Sequence, residues 1–337
     1  MSLRLLQIII PTNRITRLEE ILDEANPAAR WATTLDGDLT MTSVLLRSQV
    51  VEPLTDELCD EYKLCESFRL VLLPVEATYP KLPDRGESID TVPSDPKWAP
   101  RFFGRISREE LIEDIEDDSR TSPLFMSMVV LSTIVACVGL IKDSPAILIG
   151  AMVIAPLLGP NMALALGTTL GEISTIRRAI RSNMVGLCYA LVFSIVFGLL
   201  FVNGEYNDEI YARTSVGLSD IILALASGAA GAIAITSGVS GTLVGVMVAV
   251  ALLPPTAVCG MFIGDGAWRE AGQAATLTAT NVTCINLSAT AVFLLQGVRP
   301  SAWWEEHRAH KATKRAIGFW TLALLALAVL IVFAWNE

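Results

Sequence analysis

The stretch IGAMVIAPLLGPNMALALG, residues 149–167, is apolar enough to lie in lipid but contains two prolines four residues apart. Pro156 and Pro160 each lack the N–H group that a helix needs, and each ring crowds the carbonyl four residues earlier. The carbonyls of Met152 and Pro156 therefore lose their helical donors. Because a free carbonyl in lipid is costly, each must face protein, water or a bound ion. The stretch predicts an interrupted membrane helix.

The charge distribution predicts how many membrane spans surround this stretch. Of the 337 residues, 52% are hydrophobic and 18% are charged, and the mean hydropathy is +0.51. Six long stretches carry no charged residue: 123–141, 144–171, 182–202, 221–264, 271–298 and 316–335. A helical span needs about 20 apolar residues, so the longest stretch holds two spans, with a turn near residues 236–241. The sequence therefore predicts seven spans.

Basic residues predict the orientation of the chain. The loops at 171–182 and 297–316 contain eight Lys and Arg residues, whereas the alternate loops contain three. Because basic loops lie mainly in the cytoplasm, we predict a multi-pass protein of the cell (inner) membrane, with its N-terminus cytoplasmic and its C-terminus outside. The lipid bilayer is then its main surrounding. The net charge of −10 argues against a nucleic-acid partner.

The first 80 residues predict a soluble domain. Apolar runs, a helical period at residues 15–25 and the Asp36-Gly37 hairpin signal give the order β-α-β-β-α-β. This order is typical of a ferredoxin-like α+β domain, which serves either for packing and oligomerisation or for ligand sensing. A proline-rich linker at 81–104 and an acidic amphipathic helix at 105–122 lead to the transmembrane domain, 123–337.

The proline motif is repeated. Residues 149–160 and 244–255 share six of twelve positions: Gly150/Gly245, Met152/Met247, Val153/Val248, Leu157/Leu252, Leu158/Leu253 and Pro160/Pro255. The two copies lie in spans two and five, which cross the membrane in opposite directions. This predicts an α-helical polytopic protein built as an inverted 3+3 repeat plus one span, with the substrate site at the two helix breaks. A simple kink satisfied by neighbouring Ser or Thr is the other interpretation.

Polar residues near the motifs complete the candidate site. Pro254 and Pro255 free the carbonyls of Val250 and Ala251, and span six is rich in threonine and asparagine. We interpret Thr276, Thr280 and Thr283 as groups that bond between helices, and the two asparagines as part of a pathway. The predicted substrate or ion pathway comprises Met152, Pro156, Pro160, Asn161, Val250, Ala251, Pro254, Pro255, Thr256, Asn281 and Asn286.

Small residues in span four, at 224–232, predict close helix packing, within one subunit or between subunits. With the soluble domain they indicate a homo-oligomer. We predict no catalytic residues, cofactor or metal site. The six cysteines include no CxxC pair, the two histidines lie among basic residues, and the spans offer no nucleophile with a base.

Two segments resemble a known family. GLIKDSPAILIGAMVIAPLLGP, 139–160, and VALLPPTAVCG, 250–260, are similar to a prokaryotic family of hydrophobic membrane proteins called domain of unknown function 389. The resemblance covers about residues 105–298, and the two proline motifs are its most specific parts. It implies fold and membrane location, but no established activity or functional residues.

Two functional hypotheses follow from the sequence. The first is a transporter or channel for a small solute or ion, with the broken helices forming the site and the soluble domain regulating it. Because no carboxylate, Lys or His lies deep in a span, the pathway suits a neutral substrate or ions held by carbonyls and hydroxyls. The second is a membrane-anchored sensor or scaffold, whose soluble domain binds a ligand or partner.

Overall fold

The chain forms two compact units in the computed structural model, Met1–Leu111 and Ile112–Glu337. The structure describes residues 3–35, 37–75, 78, 106–201, 204, 206–238, 241–298, 318, 320–322 and 324–326. The predicted linker at 81–104 lies outside the described residues, as does most of the predicted seventh span at 316–335.

The N-terminal unit contains a small antiparallel sheet. Its elements are β1 (Leu3–Pro11), α1 (Ile15–Ala25), β2 (Ala29–Thr34), β3 (Leu39–Arg47), α2 (Ser48–Glu61) and β4 (Arg69–Val75). The strand order in the sheet is β2-β3-β1-β4, and every neighbouring pair is antiparallel. The element order β-α-β-β-α-β is the one that the sequence predicts.

One face of this sheet carries the core of the unit. Alternate residues of β1 point to the same face, so Leu6, Ile8 and Ile10 are all buried against the helices. The second helix begins at Ser48, five residues before Pro53. The reason is that Val51, upstream of Pro53, is also buried and extends the apolar face of the helix by one turn.

The acidic helix α3 (Arg108–Asp118) is shorter than the predicted helix at 105–122. Its first turn is capped, because the Glu110 N–H donates to Ser107 Oγ at 3.3 Å. In the N-terminal unit, the Arg4 guanidinium donates to both carboxylate oxygens of Glu110, at 2.9 and 2.8 Å. The boundary between the two units falls within α3.

The second unit is a bundle of apolar helices. They are α4 (Pro123–Ile141), α5 (Pro145–Ile154), α6 (Leu158–Leu170), α7 (Ile173–Phe201), the short α8 (Asp208–Tyr211), α9 (Leu218–Thr236), α10 (Gly241–Asp265) and α11 (Trp268–Leu295). Five of the described helices are long and apolar enough to cross a membrane, and α5 with α6 makes a sixth candidate if the bent pair is one span. The chain is therefore a multi-pass membrane protein.

Helix α10 is the centre of this bundle. In the apolar 18-residue segment of α10, 78% of the residues are buried, whereas the same fraction for α7 is 22%. It packs against α4, α5, α6, α7, α9 and α11. On α7, a Cβ atom added at Gly198 would lie 2.8 Å from Cα of Met261 on α10, so this contact requires glycine. The second proline motif thus lies in the most enclosed of the five long apolar helices.

The small residues of α9 pack within the chain. A Cβ atom added at Gly228 would overlap Ser288 Oγ and the carbonyl oxygen of Ile285, and would lie 2.7 Å from Ile285 Cα. Ala224, Ser227 and Gly228 are all buried in this contact region. These small residues therefore bring the backbones of α9 and α11 together within one chain.

Candidate functional site

The first proline motif interrupts the membrane helix, as predicted. Helix α5 ends at Ile154, α6 begins at Leu158, and the two axes differ by 55°. Pro156 lies in the break. Pro160 occupies the third position of α6, where a backbone N–H has no helical partner in any case. Both prolines are thus accommodated by ending one helix and starting another.

The second proline motif does not interrupt its helix, so the predicted break at this position is wrong. Helix α10 is continuous through Pro254 and Pro255. Pro255 removes the N–H that would normally donate to the Ala251 carbonyl. Asn281 of α11 replaces this donor, because its Nδ2 donates to the Ala251 oxygen at 2.7 Å. A side chain from a neighbouring helix therefore satisfies the carbonyl that Pro255 leaves free.

Three further asparagines join α6, α7 and α11 by hydrogen bonds. Asn161 Nδ2 donates to Asn183 Oδ1 at 3.1 Å, and Asn286 Nδ2 donates to Asn161 Oδ1 at 3.0 Å. All three side chains are buried, with at most 7% exposed. We call Asn161, Asn183 and Asn286 the amide cluster. It lies beside the start of α6, directly after the break.

The orientation of these amides is set by backbone carbonyls. Asn161 Nδ2 also donates to the Leu157 carbonyl, and Asn286 Nδ2 to the Val282 carbonyl, both at 2.8 Å. Because a carbonyl oxygen accepts and cannot donate, neither amide can be turned over without losing this bond. The orientation of Asn161 in turn places Oδ1 of Asn183 toward it.

Several polar atoms in this region have no partner among the described residues. Five of them, on α7, α9 and α11, are Asn183 Nδ2, Ser227 Oγ, Asn281 Oδ1, Asn286 Oδ1 and Thr290 Oγ1. Buried polar atoms in proteins are nearly always hydrogen-bonded, to protein or to ordered water. The amide cluster therefore has the capacity to bind a water molecule or a small polar ligand.

The predicted site residues are only partly brought together. The two motifs approach each other, since a Cβ atom at Gly245 would lie 3.9 Å from Cβ of Leu158. Asn161 contacts Asn286, and Ala251 contacts Asn281. Among the described residues, no side chain donates a hydrogen bond to the carbonyl of Met152, Pro156 or Val250. Thr256 Oγ1 donates to the Leu252 carbonyl of its own helix.

The threonines of α11 differ from their prediction. The hydroxyls of Thr276, Thr280 and Thr283 each donate to the carbonyl four residues earlier, at 2.8 Å. Bonding between helices, the role expected of them, is therefore wrong for these hydroxyls. A hydroxyl in a helix can reach the carbonyl of the preceding turn without any change in the backbone, so this local bond replaces a bond to another helix.

Sequence reasoning missed Asn183 as a site residue. It follows Arg181 by two positions, so it reads as a residue of the membrane edge. The structure places it well inside the 29-residue helix α7 and within hydrogen-bonding distance of Asn161. The prediction also left out Thr290, although the sequence contains a signal for it. Thr290 lies four residues after Asn286 and thus on the same face of α11.

The amide cluster contains only amide groups and carries no formal charge. Among the described residues, no group of three or more His, Cys, Asp or Glu side chains could hold a metal ion. The chemistry available is therefore hydrogen bonding and dipolar interaction. No side chain of the cluster can serve as an acid, a base or a strong nucleophile.

Comparison with known proteins places the chain in a family. The model of the family called domain of unknown function (DUF389) matches residues 152–287, which include the prolines of both motifs. An uncharacterized protein of the archaeon Methanocaldococcus jannaschii is 33% identical over 334 residues, covering 99% of this chain and 100% of that protein. No solved structure matches the chain. The chain therefore belongs to the DUF389 family of membrane proteins.

Proposed function

We propose that the chain is a transporter or channel for a small solute or ion, with the amide cluster as its polar site. The observation that carries this proposal is the bond between Asn161 and Asn286, which joins α6 to α11 directly after the broken helix. Polar side chains buried in membrane helices are costly and commonly belong to a pathway. Irregular backbone at membrane depth is tolerated where it lies in protein or lines a cavity.

The free atoms of the cluster favour a small neutral polar solute over an ion. Asn183 Nδ2 offers a donor and Asn286 Oδ1 offers an acceptor, and the hydroxyl of Thr290 can do either. The free N–H group of Asn183 is unfavourable for a cation, and an anion would find no positive side chain in the cluster. A solute that carries both a donor and an acceptor matches these atoms best.

The proposal includes the inverted 3+3 plan and a cytoplasmic regulatory domain. Supporting the repeat is the contact between its two copies, at Leu158 and Gly245. Under this plan the N-terminus is cytoplasmic, the C-terminus is outside, and the protein is a homo-oligomer in the cell membrane. The two halves are not equivalent, because only the first copy breaks its helix.

Flux into proteoliposomes tests the proposal. The full chain is reconstituted and assayed against a panel of radiolabelled neutral solutes, such as urea, glycerol and small amides, together with monovalent ions. We expect uptake of at least one neutral solute, and we expect Asn161→Leu to abolish it while Tyr189→Phe, on the exposed face of α7, does not. Folded protein that is inert to the whole panel would contradict transport of these classes.

A sensor or scaffold role has one observation in its favour. On the sheet face opposite the core, Trp31 of β2 is 50% exposed, and Val71 and Leu73 of β4 are 41% and 40% exposed. The register places Trp31, Ser43, Gln7 and Val71 in one row across all four strands. If this face binds a regulatory partner, Leu73→Asp in the full chain should abolish that binding and leave the bundle folded. Flux that is unaffected by Leu73→Asp would separate this role from transport.

A further inference from the structure

A groove lies between α7, α10 and α11, on a part of the bundle that the amide cluster does not use. Its volume is about 430 Å³, within the range of roughly 300–1,000 Å³ that is usual for small-molecule sites. The residues that line it are Met184, Leu187, Cys188 and Leu191 of α7, Thr256 and Cys259 of α10, and Ala275, Thr278, Ala279, Val282 and Thr283 of α11.

The groove has a closed floor and an open side. Thr256 and Cys259 form the floor and are buried, because α10 is the central helix. At the open side Met184 is 56% exposed, and Ala275 and Ala279 of α11 are also exposed. The opening therefore faces away from the bundle, toward whatever surrounds the membrane helices.

The lining offers no polar group to a ligand. Three threonines contribute to it, and each hydroxyl donates to a carbonyl of its own helix: Thr256 to Leu252, Thr278 to Ala274 and Thr283 to Ala279. The hydroxyls are thus already hydrogen-bonded, and the surface that lines the groove is almost entirely apolar. A polar solute would lose its hydration there without gaining partners, so the occupant must be apolar.

The groove is continuous with the surface that contacts lipid. On α7, Val192, Val196 and Leu199 follow the lining residues and are exposed. The lining segment 184–191 lies in the apolar part of α7, which follows Arg181 and continues to Phe201. At this depth a membrane helix is surrounded by hydrocarbon chains and not by headgroups.

We infer that the groove binds one acyl chain of a bilayer lipid. The lining segment of α11, residues 275–283, rises about 12 Å, less than half of the roughly 30 Å hydrocarbon core. The groove thus holds a part of one chain, and the headgroup lies outside it. The acyl chain contacts Thr256, the residue after Pro255, and so lies against the central helix α10 beside its two prolines. This inference does not depend on the transport proposal.

Photocrosslinking tests the inference. The full chain is reconstituted with phosphatidylcholine that carries a diazirine in the middle of one acyl chain, irradiated, digested and mapped by mass spectrometry. We expect crosslinks on residues 184–191 and 275–283, and also on the buried floor residues Thr256 and Cys259 of α10. A lipid with its diazirine beside the headgroup should give no crosslinks at these positions.

Two variants separate binding in the groove from general lipid contact. Ala275→Leu/Ala279→Leu should fill the groove and abolish the floor crosslinks. Leu200→Ala, at a residue of α7 that is 67% exposed and outside the groove, should leave them unchanged. Wild-type crosslinks confined to Val192, Val196 and Leu199, with none on the floor, would overturn the inference even if the double variant failed to fold. Crosslinks that join the groove to a second copy of the chain would also overturn it.

Discussion

Asn281 and Ala251 are joined by a hydrogen bond of 2.7 Å, from the side-chain amide of α11 to a backbone carbonyl of α10. Ala251 is the residue whose helical donor Pro255 removes. The bond therefore replaces the helical donor that Pro255 removes from the central helix of the bundle. It also connects the second proline motif to the polar helix α11.

A double-mutant cycle tests this relationship. We expect Asn281→Leu to lower the free energy of unfolding by about 1 to 3 kcal/mol, because it leaves a buried carbonyl without a donor. The average bond between membrane helices contributes only about 0.6 kcal/mol, but this carbonyl has lost its helical alternative. In a Pro255→Ala background the helix supplies that donor again, so the cost of Asn281→Leu should become clearly smaller. Thermal or denaturant unfolding in detergent measures both costs, and equal costs in the two backgrounds would contradict the assignment.

The contact between α9 and α11 gives a second prediction. Gly228→Ala should destabilise the bundle by about 1 to 3 kcal/mol, because the added methyl group would overlap Ser288 and Ile285. Gly150→Ala is the matched control, since nothing lies within 4 Å of its added methyl group. The control should be neutral or slightly stabilising, because alanine favours a helix over glycine. The melting temperatures of the two variants check the prediction, which is wrong if both behave alike.

The N-terminal unit gives a third prediction. The side chains of Arg4 and Glu110 are 8% and 19% exposed and make a two-point ion pair. Arg4→Ala should lower the stability of this unit by about 3 kcal/mol or more, because it leaves a largely buried carboxylate unpaired. Arg17→Ala breaks an exposed pair with Glu20 and should cost less than about 1 kcal/mol. Limited proteolysis of the full chain against denaturant compares the two, and similar protection would contradict the prediction.

Much of the fold follows from local properties of the sequence. Hydropathy predicts the membrane helices, because a span must be apolar over its whole length. Alternation and helical period predict the order of elements in the N-terminal unit. The break at Pro156 is also local, since the next proline lies only four residues later, in the first turn of a new helix.

What the sequence does not predict depends on contacts between distant residues. The bond that keeps α10 continuous comes from Asn281, 30 residues away along the chain. Asn183 becomes a member of the amide cluster only when α6 and α7 pack together. The prediction for the threonines of α11 is wrong for the opposite reason, because a local bond to the preceding turn replaces the expected contact with another helix.

The central claim is that the amide cluster is the polar site of a membrane pathway. The most direct test compares solute uptake by proteoliposomes that contain equal amounts of folded Asn286→Leu or Thr276→Val protein. Both changes remove a polar group from the same helix, but the Thr276 hydroxyl is already bonded to its own backbone and Asn286 Oδ1 has no partner among the described residues. We predict that Asn286→Leu abolishes uptake and that Thr276→Val retains it. Equal uptake by the two variants would contradict the claim.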